Sequence, residues 1–320
     1  KASLAQAEAQ LTSARQNLKI LQNKGRFRQF LAENGFNVPT AKYYSEIQTA
    51  LDDISLFHWP VIVKPTDSAG SKGVTRVDCP DDLEKSIYYA LKFSHCNEFI
   101  IEDFIEQEGC SSDSDAFSIN GNLIFISYSS QRFDKDAENP YAPSAFSWPS
   151  TFSKEQEAEL SRELQRLVHI LHMGTCNYNI ETRVDKKGKP YIMECSPRGG
   201  GNRLAEMLRY ATGVDLIETA VRAAVGLPIV GIEQKPYVGY WAEIIIHSSV
   251  SGVFDSVWIS EEIASNVIER DIWVDEGSSI GGFSGANEAI GTLVLKFDTR
   301  ERLEQVLGNQ KQYVRVQLKY

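Results

Sequence analysis

Two strand-like runs joined by a short polar turn constrain this chain more than any other stretch. Residues 177–184 and 189–196 are rich in strand-forming side chains, and residues 185–188 between them (Asp-Lys-Lys-Gly) are typical of a hairpin turn. Antiparallel pairing across that turn is expected to bring the carboxylates of Glu181 and Glu194 together. Adjacent carboxylates repel unless a cation or a proton lies between them, so the pattern predicts a magnesium site. The alternative is an ordinary surface hairpin with solvated acids.

An arginine and three glycines follow the second strand. The order is Ser196, Pro197, Arg198 and then glycines 199–201. An arginine fork beside a divalent metal and a flexible glycine segment suits phosphate or carboxylate. Strand alternation points Cys195 away from Glu194 and Ser196, so we expect this cysteine to lie in the core.

A second candidate phosphate site lies upstream. Residues 58–65 are typical of a buried strand ending near Lys64, and a Gly/Ser-rich loop, residues 66–74, separates it from a further strand at 75–77. Such a loop lets backbone N–H groups approach a polyphosphate closely. The GxxxxGK[ST] motif of a P-loop is absent, and a strand rather than a helix follows. A flexible hairpin with an ordinary surface lysine is the alternative.

Helix signals cover much of the first two thirds of the chain. Leucines at positions 4, 11 and 18 make residues 2–22 an amphipathic helix, which we expect to pack on the body; the end of a preceding domain and a short coiled coil are the alternatives. Further helices are predicted at 24–34, 81–93, 153–173 (with a Ser153–Gln156 capping box), 202–212 and 214–225. His169 and His172 are interpreted as packing residues.

Strand signals fill the remaining segments. A strand is predicted at 97–105, and residues 113–119 and 123–129 form a hairpin turning at Asn120-Gly121. Residues 134–150, with three prolines, are predicted to be irregular, either a lid over a site or packed decoration. A boundary is placed at Gly226-Leu227-Pro228. Short strands after residue 237 predict a smaller α+β domain with an antiparallel sheet.

Composition excludes several classes of protein. The 320 residues carry a net charge of −10, which argues against nucleic acid or an anionic membrane as the main partner. The sequence has no apolar run near the ~20 residues of a membrane helix, and no signal peptide is visible. Five cysteines without CxxC spacing indicate a reduced, cytoplasmic setting. Because the chain starts at Lys1, we treat it as a candidate fragment with a missing N-terminal segment.

Taken in order, these motifs resemble the ATP-grasp superfamily of ATP-dependent ligases. The resemblance rests on Asn23-Lys24, the strand Val61-Ile62-Val63-Lys64, the loop from Ser68 to Gly73, Glu102-Asp103-Phe104-Ile105, Glu181, and Glu194-Cys195-Ser196-Pro197-Arg198. It covers residues 23–226, and the region after residue 237 resembles, more weakly, the C-terminal domain of amino-acid ligases.

The resemblance implies an α+β fold in three parts. Residues 1–22 would be a helix that ends or replaces a preceding domain. Residues 23–228 would form the ATP-grasp domain, whose two α/β subdomains (about 23–100 and 101–228) sandwich ATP. Residues 229–320 would form the C-terminal α+β domain.

The resemblance also implies roles for individual residues. Lys24 and Lys64 would contact the ATP phosphates, Lys64 and Arg198 would be catalytic, and Glu181, Glu194 and Ser196 would hold Mg²⁺, with Mn²⁺ as an alternative. Nucleotide contacts would also come from Ser68, Gly70, Ser71, Gly73, Glu102, Asp103, Phe104, Ile105 and Glu106. Asp115 is an alternative to Glu106 at the ribose or the metal. Candidate substrate contacts are Arg132, Ser144, Ser147, Arg198, Gly200 and Asn202.

One position departs from the family pattern. Ser196 stands where an asparagine is usual, which puts a second magnesium ion in question; Asn202 is a candidate replacement.

We therefore predict a carboxylate–amine ligase that uses ATP, with small-molecule substrates, amino acids among them, and a homodimer as a candidate assembly. Two rival hypotheses stay open. One is a non-catalytic ATP-binding sensor or scaffold, and the other is a carboxylase or carbamoyl-phosphate type of enzyme acting on bicarbonate.

Overall fold

A computed structural model describes residues 2–107 and 109–319. Its helices are α1 (Ala2–Leu21), α2 (Lys24–Glu33), α3 (Ile47–Asp52), α4 (Leu83–Leu91), α5 (Lys154–Ile170), α6 (Leu204–Thr212), α7 (Leu216–Ala224), α8 (Glu261–Ala264), α9 (Arg300–Gly308) and α10 (Gln310–Tyr313). Its strands are β1 (Ala41–Tyr44), β2 (Val61–Pro65), β3 (Thr75–Val77), β4 (Phe99–Asp103), β5 (Ser112–Ile119), β6 (Asn122–Ser127), β7 (Ser130–Phe133), β8 (Pro143–Trp148), β9 (Cys176–Val184), β10 (Pro190–Ser196), β11 (Tyr240–Ile246), β12 (Gly252–Ile259), β13 (Val267–Ile272), β14 (Ser279–Ile280), β15 (Gly291–Phe297) and β16 (Val314–Lys319).

The first sheet has the order β1-β4-β2-β3 and is antiparallel throughout. In β2, Val61 and Val63 alternate with residues of the other face and are fully buried. They pack with Phe99 of β4 and with Leu83 and Ile87 of α4 in one apolar cluster. This packing fixes the C-terminal end of β2, where Lys64 lies.

The second sheet has the order β10-β9-β5-β6 and covers α5. Tyr178 and Ile180 of β9 and Cys195 of β10 lie on the face that packs with Leu160 and Leu164 of α5. Cys195 is 2% exposed, so its predicted place in the core is confirmed. The predicted capping box at Ser153 is also present, since Ser153 Oγ accepts from Gln156 N and Gln156 Oε1 accepts from Ser153 N.

Strand pairing crosses the boundary expected at residues 228/229. The third sheet has the order β13-β15-β11-β8-β7, so β11 pairs with β8 from the middle of the chain. A smaller sheet, β14-β12-β16, completes the C-terminal part. An antiparallel sheet among the last strands is thus confirmed, while the division into separate domains stays a prediction.

Two expectations were wrong. Residues 143–148, expected to be irregular, form β8, whose residues 144–148 are buried within the third sheet. The leucine stripe of α1 does not pack on the described residues, because Leu4, Leu11 and Leu18 are 65%, 52% and 40% exposed. Only the C-terminal end of α1, at Leu21, enters the core.

The start of α6 also differs from the prediction. The helix begins at Leu204 rather than at residue 202, because Asn202 (φ 52°) and Arg203 (φ 62°) both have left-handed backbone conformations. Within residues 2–107 and 109–319, no helix combines the length and the apolar character that crossing a membrane requires.

Candidate nucleotide and metal site

The face of the second sheet that does not pack on α5 carries a row of polar side chains. Alternation places Glu181 and Asn179 of β9, Glu194 of β10, and Asp113 and Asp115 of β5 on the face opposite to α5. Glu194 is the register partner of Glu181, and Asp113 is the register partner of Glu181 on the other side. The predicted meeting of the two glutamates is therefore confirmed at the level of strand register.

A β-bulge sets that register. Ile192 pairs with Thr182, and the next partner of Glu181 is Glu194 rather than Met193, which is the extra residue. Bulges of this kind bend the strand and re-aim side chains, and they are common beside functional sites. Without it, a buried methionine would face Glu181.

The glutamate pair fits a cation that other groups help to bind. Lys24 Nζ lies 3.4 Å from Glu194 Oε2, and Arg183 Nη2 lies 3.2 Å from Glu181 Oε1. Ser196 lies on the same face, opposite Asn179. In the described part of the chain, no three His, Cys, Asp or Glu side chains are arranged to hold a metal. Mg²⁺ is usually held by one or two carboxylates together with substrate phosphates, which is the donor set available here.

The two lysines come from the facing sheet and helix. Lys24 is the first residue of α2, and the N-cap residue of that helix, Asn23, accepts a hydrogen bond from Arg26 N at 2.9 Å. The Nζ atom of Lys24 donates to Ser68 O at 2.6 Å. Lys64, near the end of β2, donates to the buried carboxylate of Glu102. Burial lowers the pKa of Lys64, although the charge of Glu102 opposes the shift.

Arg28 ties the two halves of the site together. Its guanidinium is 3% exposed and donates to Glu102 Oε2 at 3.1 and 3.0 Å, to Ile192 O at 3.1 Å and to Met193 O at 3.3 Å. The last two acceptors are carbonyls at the bulge. Although burial opposes ionisation of Glu102, Lys64 and Arg28 together hold its pKa at about 2. This bridge joins the first sheet to the bulge beside Glu194.

The Gly/Ser-rich loop, residues 68–73, is held against a neighbouring loop. Ser71 Oγ donates to Tyr141 O at 2.9 Å, and Asn139 Nδ2 donates to Ser71 O at 3.0 Å and to Ser284 O at 3.1 Å. Gly73 has φ 72° and a Cβ there would lie 2.9 Å from Phe93, so this position requires glycine. Residues 139–141 thus lie against the loop, and both alternatives for residues 134–150, a lid or packed decoration, stay open for this part of the segment.

The segment from Glu102 to Glu106 divides into a buried and an exposed part. Glu102 is 2% exposed and points to Lys64 and Arg28, and Asp103 accepts from His58 N at 2.8 Å. Backbone N–H groups of Asp103 and Phe104 donate to Thr40 O and Pro60 O, whereas that of Ile105 has no partner in the described residues. Glu106 is half exposed and pairs with Lys186 at 2.5 Å.

The segment after β10 joins Arg198 to β5. Arg198 is exposed, and its Nη1 donates only to the neighbouring Gly199 O, at 2.7 Å, within the described residues. Gly200 N donates to Asp115 Oδ1 at 2.8 Å, which fixes the glycine run over β5. Asn179 Nδ2 donates to Asp113 Oδ1 at 2.6 Å and to Asp115 Oδ1 at 3.1 Å.

The pKa values of two neighbouring aspartates, Asp113 and Asp115, are both raised. Burial, then the charges of Asp115 and Glu181, raises the pKa of Asp113 to about 8. Burial raises the pKa of Asp115 to about 6 against the hydrogen bonds from Asn179 and Gly200. Both groups lie in the row that carries the glutamate pair.

The structure does not bring Arg132 to this row. Its Nη2 donates to both carboxylate oxygens of Glu304 on α9, at 2.7 and 2.9 Å. Ser147 Oγ lies 3.4 Å from the same nitrogen, and Ser144 donates to Arg132 O. Arg132 is thus bound to Glu304 of α9 and to serines of β8 in the third sheet, and these contacts give no support to its predicted substrate role.

Comparison with known proteins identifies the domain that holds Lys64, Glu181, Glu194 and Arg198. A sequence model of the ATP-grasp domain family matches residues 57–206. The chain carries an ATP-grasp domain.

Relatives of this ATP-grasp protein agree in fold. The L-amino acid ligase from Bacillus licheniformis superposes with a TM-score of 0.77 at 22% identity, over 94% of this chain and 73% of that one. A second similar structure is the biotin carboxylase domain of a 2-oxoglutarate carboxylase from Hydrogenobacter thermophilus, solved with MgADP and bicarbonate. It superposes with a TM-score of 0.71 at 16% identity, over 93% of this chain and 67% of that one. The predicted α+β ATP-grasp fold is confirmed.

A curated sequence relative is much longer than this chain. The carbamoyl phosphate synthase large chain of Thermotoga neapolitana is 24% identical over 225 residues, which are 69% of this chain and 20% of that protein. This ATP-grasp protein therefore spans about a fifth of the length of that relative.

Sequence reasoning missed two groups at the site. Arg28 lies four residues after Lys24, one turn along α2 on the same face, and that spacing was the available signal. Asp113 lies two residues before Asp115 on one strand, so alternation alone could have placed both on one face.

Proposed function

We propose that this chain is an ATP-dependent ligase. It activates a carboxylate as an acyl phosphate and joins it to an amine, with release of ADP and phosphate. The observation that supports this most is the contact of Lys24 with both Ser68 O (2.6 Å) and Glu194 (3.4 Å), because it joins the loop suited to phosphate to the carboxylates suited to metal.

The charged residues have distinct roles in this proposal. Lys24 and Lys64 bind the phosphates, and the backbone N–H groups of Ser68 to Gly73 cover them. Arg198, which is exposed and has no ion pair in the described residues, stabilises the charge that develops on the transferring phosphoryl group. Glu181 and Glu194 would hold Mg²⁺ or Mn²⁺, with Ser196 as a weaker ligand, and the bound ion would neutralise phosphate charge.

The adenine end is assigned to the segment around Ile105. The Ile105 N–H, which has no partner in the described residues, and the carbonyl of Asp103 are the groups that would read the base. The N–H of Asp103 is already donated to Thr40 O, so it takes no part.

The acyl phosphate makes the carboxylate reactive toward the amine. A bare carboxylate resists nucleophilic attack, whereas an acyl phosphate has phosphate as a leaving group.

Amino acids are the proposed substrates, since the fold agrees over 94% of the chain with an L-amino acid ligase. The five cysteines are free, which suits the cytoplasmic location that we propose. Assembly as a homodimer stays a prediction.

Bicarbonate is the second candidate for the carboxylate. The sequence similarity to carbamoyl phosphate synthase large chains favours it. The sensor hypothesis is disfavoured, because Lys24, Lys64, Glu181, Glu194 and Arg198 are all present and all but Arg198 are held by ion pairs.

A phosphate-release screen tests the proposal. Purified protein with ATP and Mg²⁺ is supplied with amino acids, small carboxylates and bicarbonate, alone and in pairs. We expect release with at least one carboxylate–amine pair and none with Glu181→Gln. No release with any pair would contradict the ligase and favour a sensor.

A further inference from the structure

A fully buried carboxylate without a partner lies close to the acidic row. Glu243, in the middle of β11, is 0% exposed, and neither Oε1 nor Oε2 has a hydrogen-bond partner in the described part of the chain. Asp115, which is 1% exposed, likewise leaves Oδ2 without a partner. A buried carboxylate of this kind is costly unless something pairs with it.

Both carboxylates open onto one apolar cluster. Alternation along β11 places Glu243 on the face of Trp241 and Ile245, and alternation along β5 places Asp115 on the face of Phe117. Trp241, Ile245 and Phe117 all belong to the same buried cluster. Burial raises the pKa of Glu243 well above its ordinary value, and the negative charges of Glu206, Asp113 and Asp115 raise it further, against the opposing charge of Arg203.

Within residues 2–107 and 109–319, no side chain supplies the missing cation. Arg203 is near enough for its charge to act on Glu243, but its guanidinium lies 2.5 Å from Glu269, 2.6 Å from Asp271 and 3.6 Å from Glu206. Arg203 is thus engaged by other carboxylates and donates no hydrogen bond to Glu243. No three His, Cys, Asp or Glu side chains in the described residues are arranged to hold a metal beside Glu243 either.

Asp115 adjoins the proposed reaction site. Gly200 N donates to Asp115 Oδ1 at 2.8 Å, and Arg198, two residues earlier, lies close enough for its charge to lower the pKa of Asp115. A group bound at Asp115 would therefore lie beside the arginine to which the transferring phosphoryl group is assigned.

We propose that Glu243 and Asp115 form a subsite for the ammonium group of an amine substrate. Three buried carboxylate oxygens without partners, Oε1 and Oε2 of Glu243 and Oδ2 of Asp115, match the three N–H donors of a primary ammonium. The charge of the ligand compensates the acids, and the hydrogen bonds satisfy them. The inference rests on the proposed ligase for the identity of the substrate, but ammonium binding is measurable without turnover.

The first measurement is thermal unfolding of the whole chain. Methylammonium chloride, glycine and L-alanine are the probes, with sodium chloride at equal ionic strength as reference. The variants are Glu243→Gln, Glu243→Leu and, as a matched control, Glu218→Gln, which removes an exposed carboxylate that Arg222 already pairs. The ammonium probes should raise the melting temperature of the parent and of Glu218→Gln, but not that of the Glu243 variants.

The second measurement is the KM for the amine partner found in the phosphate-release screen. Glu243→Gln should raise it by about 10- to 100-fold, the scale of losing a hydrogen bond to a charged group, with KM for ATP within about twofold. Without any probe, Glu243→Leu should melt above the parent, because a buried acid without a partner is removed. A lower melting temperature for that variant would reveal an internal partner and overturn the inference.

The outcomes separate this inference from the ligase. An equal response of parent and Glu243→Gln to the probes, no response of the parent, or an unchanged amine KM would overturn the ammonium subsite. If those results came with turnover, the ligase would stand. Stabilisation by ammonium probes that Glu243→Gln abolishes, without turnover of any pair, would support the subsite and contradict the ligase.

Discussion

Glu194 lies opposite Glu181 on paired antiparallel strands, in a register that the bulge at Met193 creates. The two side chains are 30% and 33% exposed, so neither is held by burial. Their closeness costs free energy through repulsion and is useful only when a cation lies between them.

Glu181→Gln and Glu194→Gln should each abolish magnesium-dependent turnover. The free energy of unfolding without Mg²⁺ should stay within about 1 kcal/mol of the parent, since the ion pairs with Arg183 and Lys24 are partly exposed. Urea unfolding and a magnesium titration check both. A large loss of stability in the metal-free variants would show that the glutamates are structural.

Lys64→Met should weaken ATP binding by roughly 1–3 kcal/mol, the scale of losing a charged hydrogen-bonding partner. Methionine keeps the apolar stem in the pocket and removes the charge. Calorimetry measures the dissociation constant, and Lys85→Met on the exposed side of α4 is the matched control. An unchanged constant in Lys64→Met would remove Lys64 from the nucleotide site.

The Glu102 carboxylate should couple stability to pH. Its pKa of about 2 in the folded protein lies below the ordinary 4.5. The ionised Glu102 therefore contributes fully to the free energy of unfolding above pH 4.5, and this contribution is lost as pH falls toward 2. Glu102→Gln should therefore cost on the order of 3 kcal/mol at pH 7, and the difference from the parent should shrink through that window. Denaturant unfolding across pH tests this. A difference that does not change with pH would show that Glu102 titrates normally.

Arg198→Lys should separate ATP affinity from turnover. Lysine keeps the charge but loses the planar fork, so kcat should fall on the order of 10²–10³ while the Kd for ATP changes little. ADP production is measured beside ATP binding for the same variant. Equal losses in both would mean that Arg198 only holds ATP in the ground state.

The sequence predicted the elements that local patterns specify. The hairpin of β9 and β10, the capping box at Ser153 and the loop at Gly70 and Gly73 follow from turn and capping residues close together in the chain. The resemblance then assigned roles to Lys24, Lys64 and Glu181, and the structure places them around one face.

What was missed depends on contacts between distant segments. The hydrogen bonds of Arg28 reach Glu102, 74 residues away, and Ile192, 164 residues away, and no local pattern reports such partners. The pairing of β8 with β11 likewise joins residues about a hundred positions apart, so the Pro-rich sequence of residues 134–150 gave no sign that six of them form a strand of the third sheet. In the sequence, Glu243 is a single acid in an apolar run, and its burial depends on strands of the third sheet that come from distant segments.

Oxygen transfer from the carboxylate to the released phosphate tests the ligase most directly. With Mg²⁺, ATP, the amine and a carboxylate labelled with ¹⁸O, an acyl phosphate requires that one labelled oxygen leave with the phosphate. We expect the ³¹P spectrum of the product to show phosphate carrying one ¹⁸O in step with ADP formation. Product formation with unlabelled phosphate, or with AMP in place of ADP, would contradict activation through an acyl phosphate.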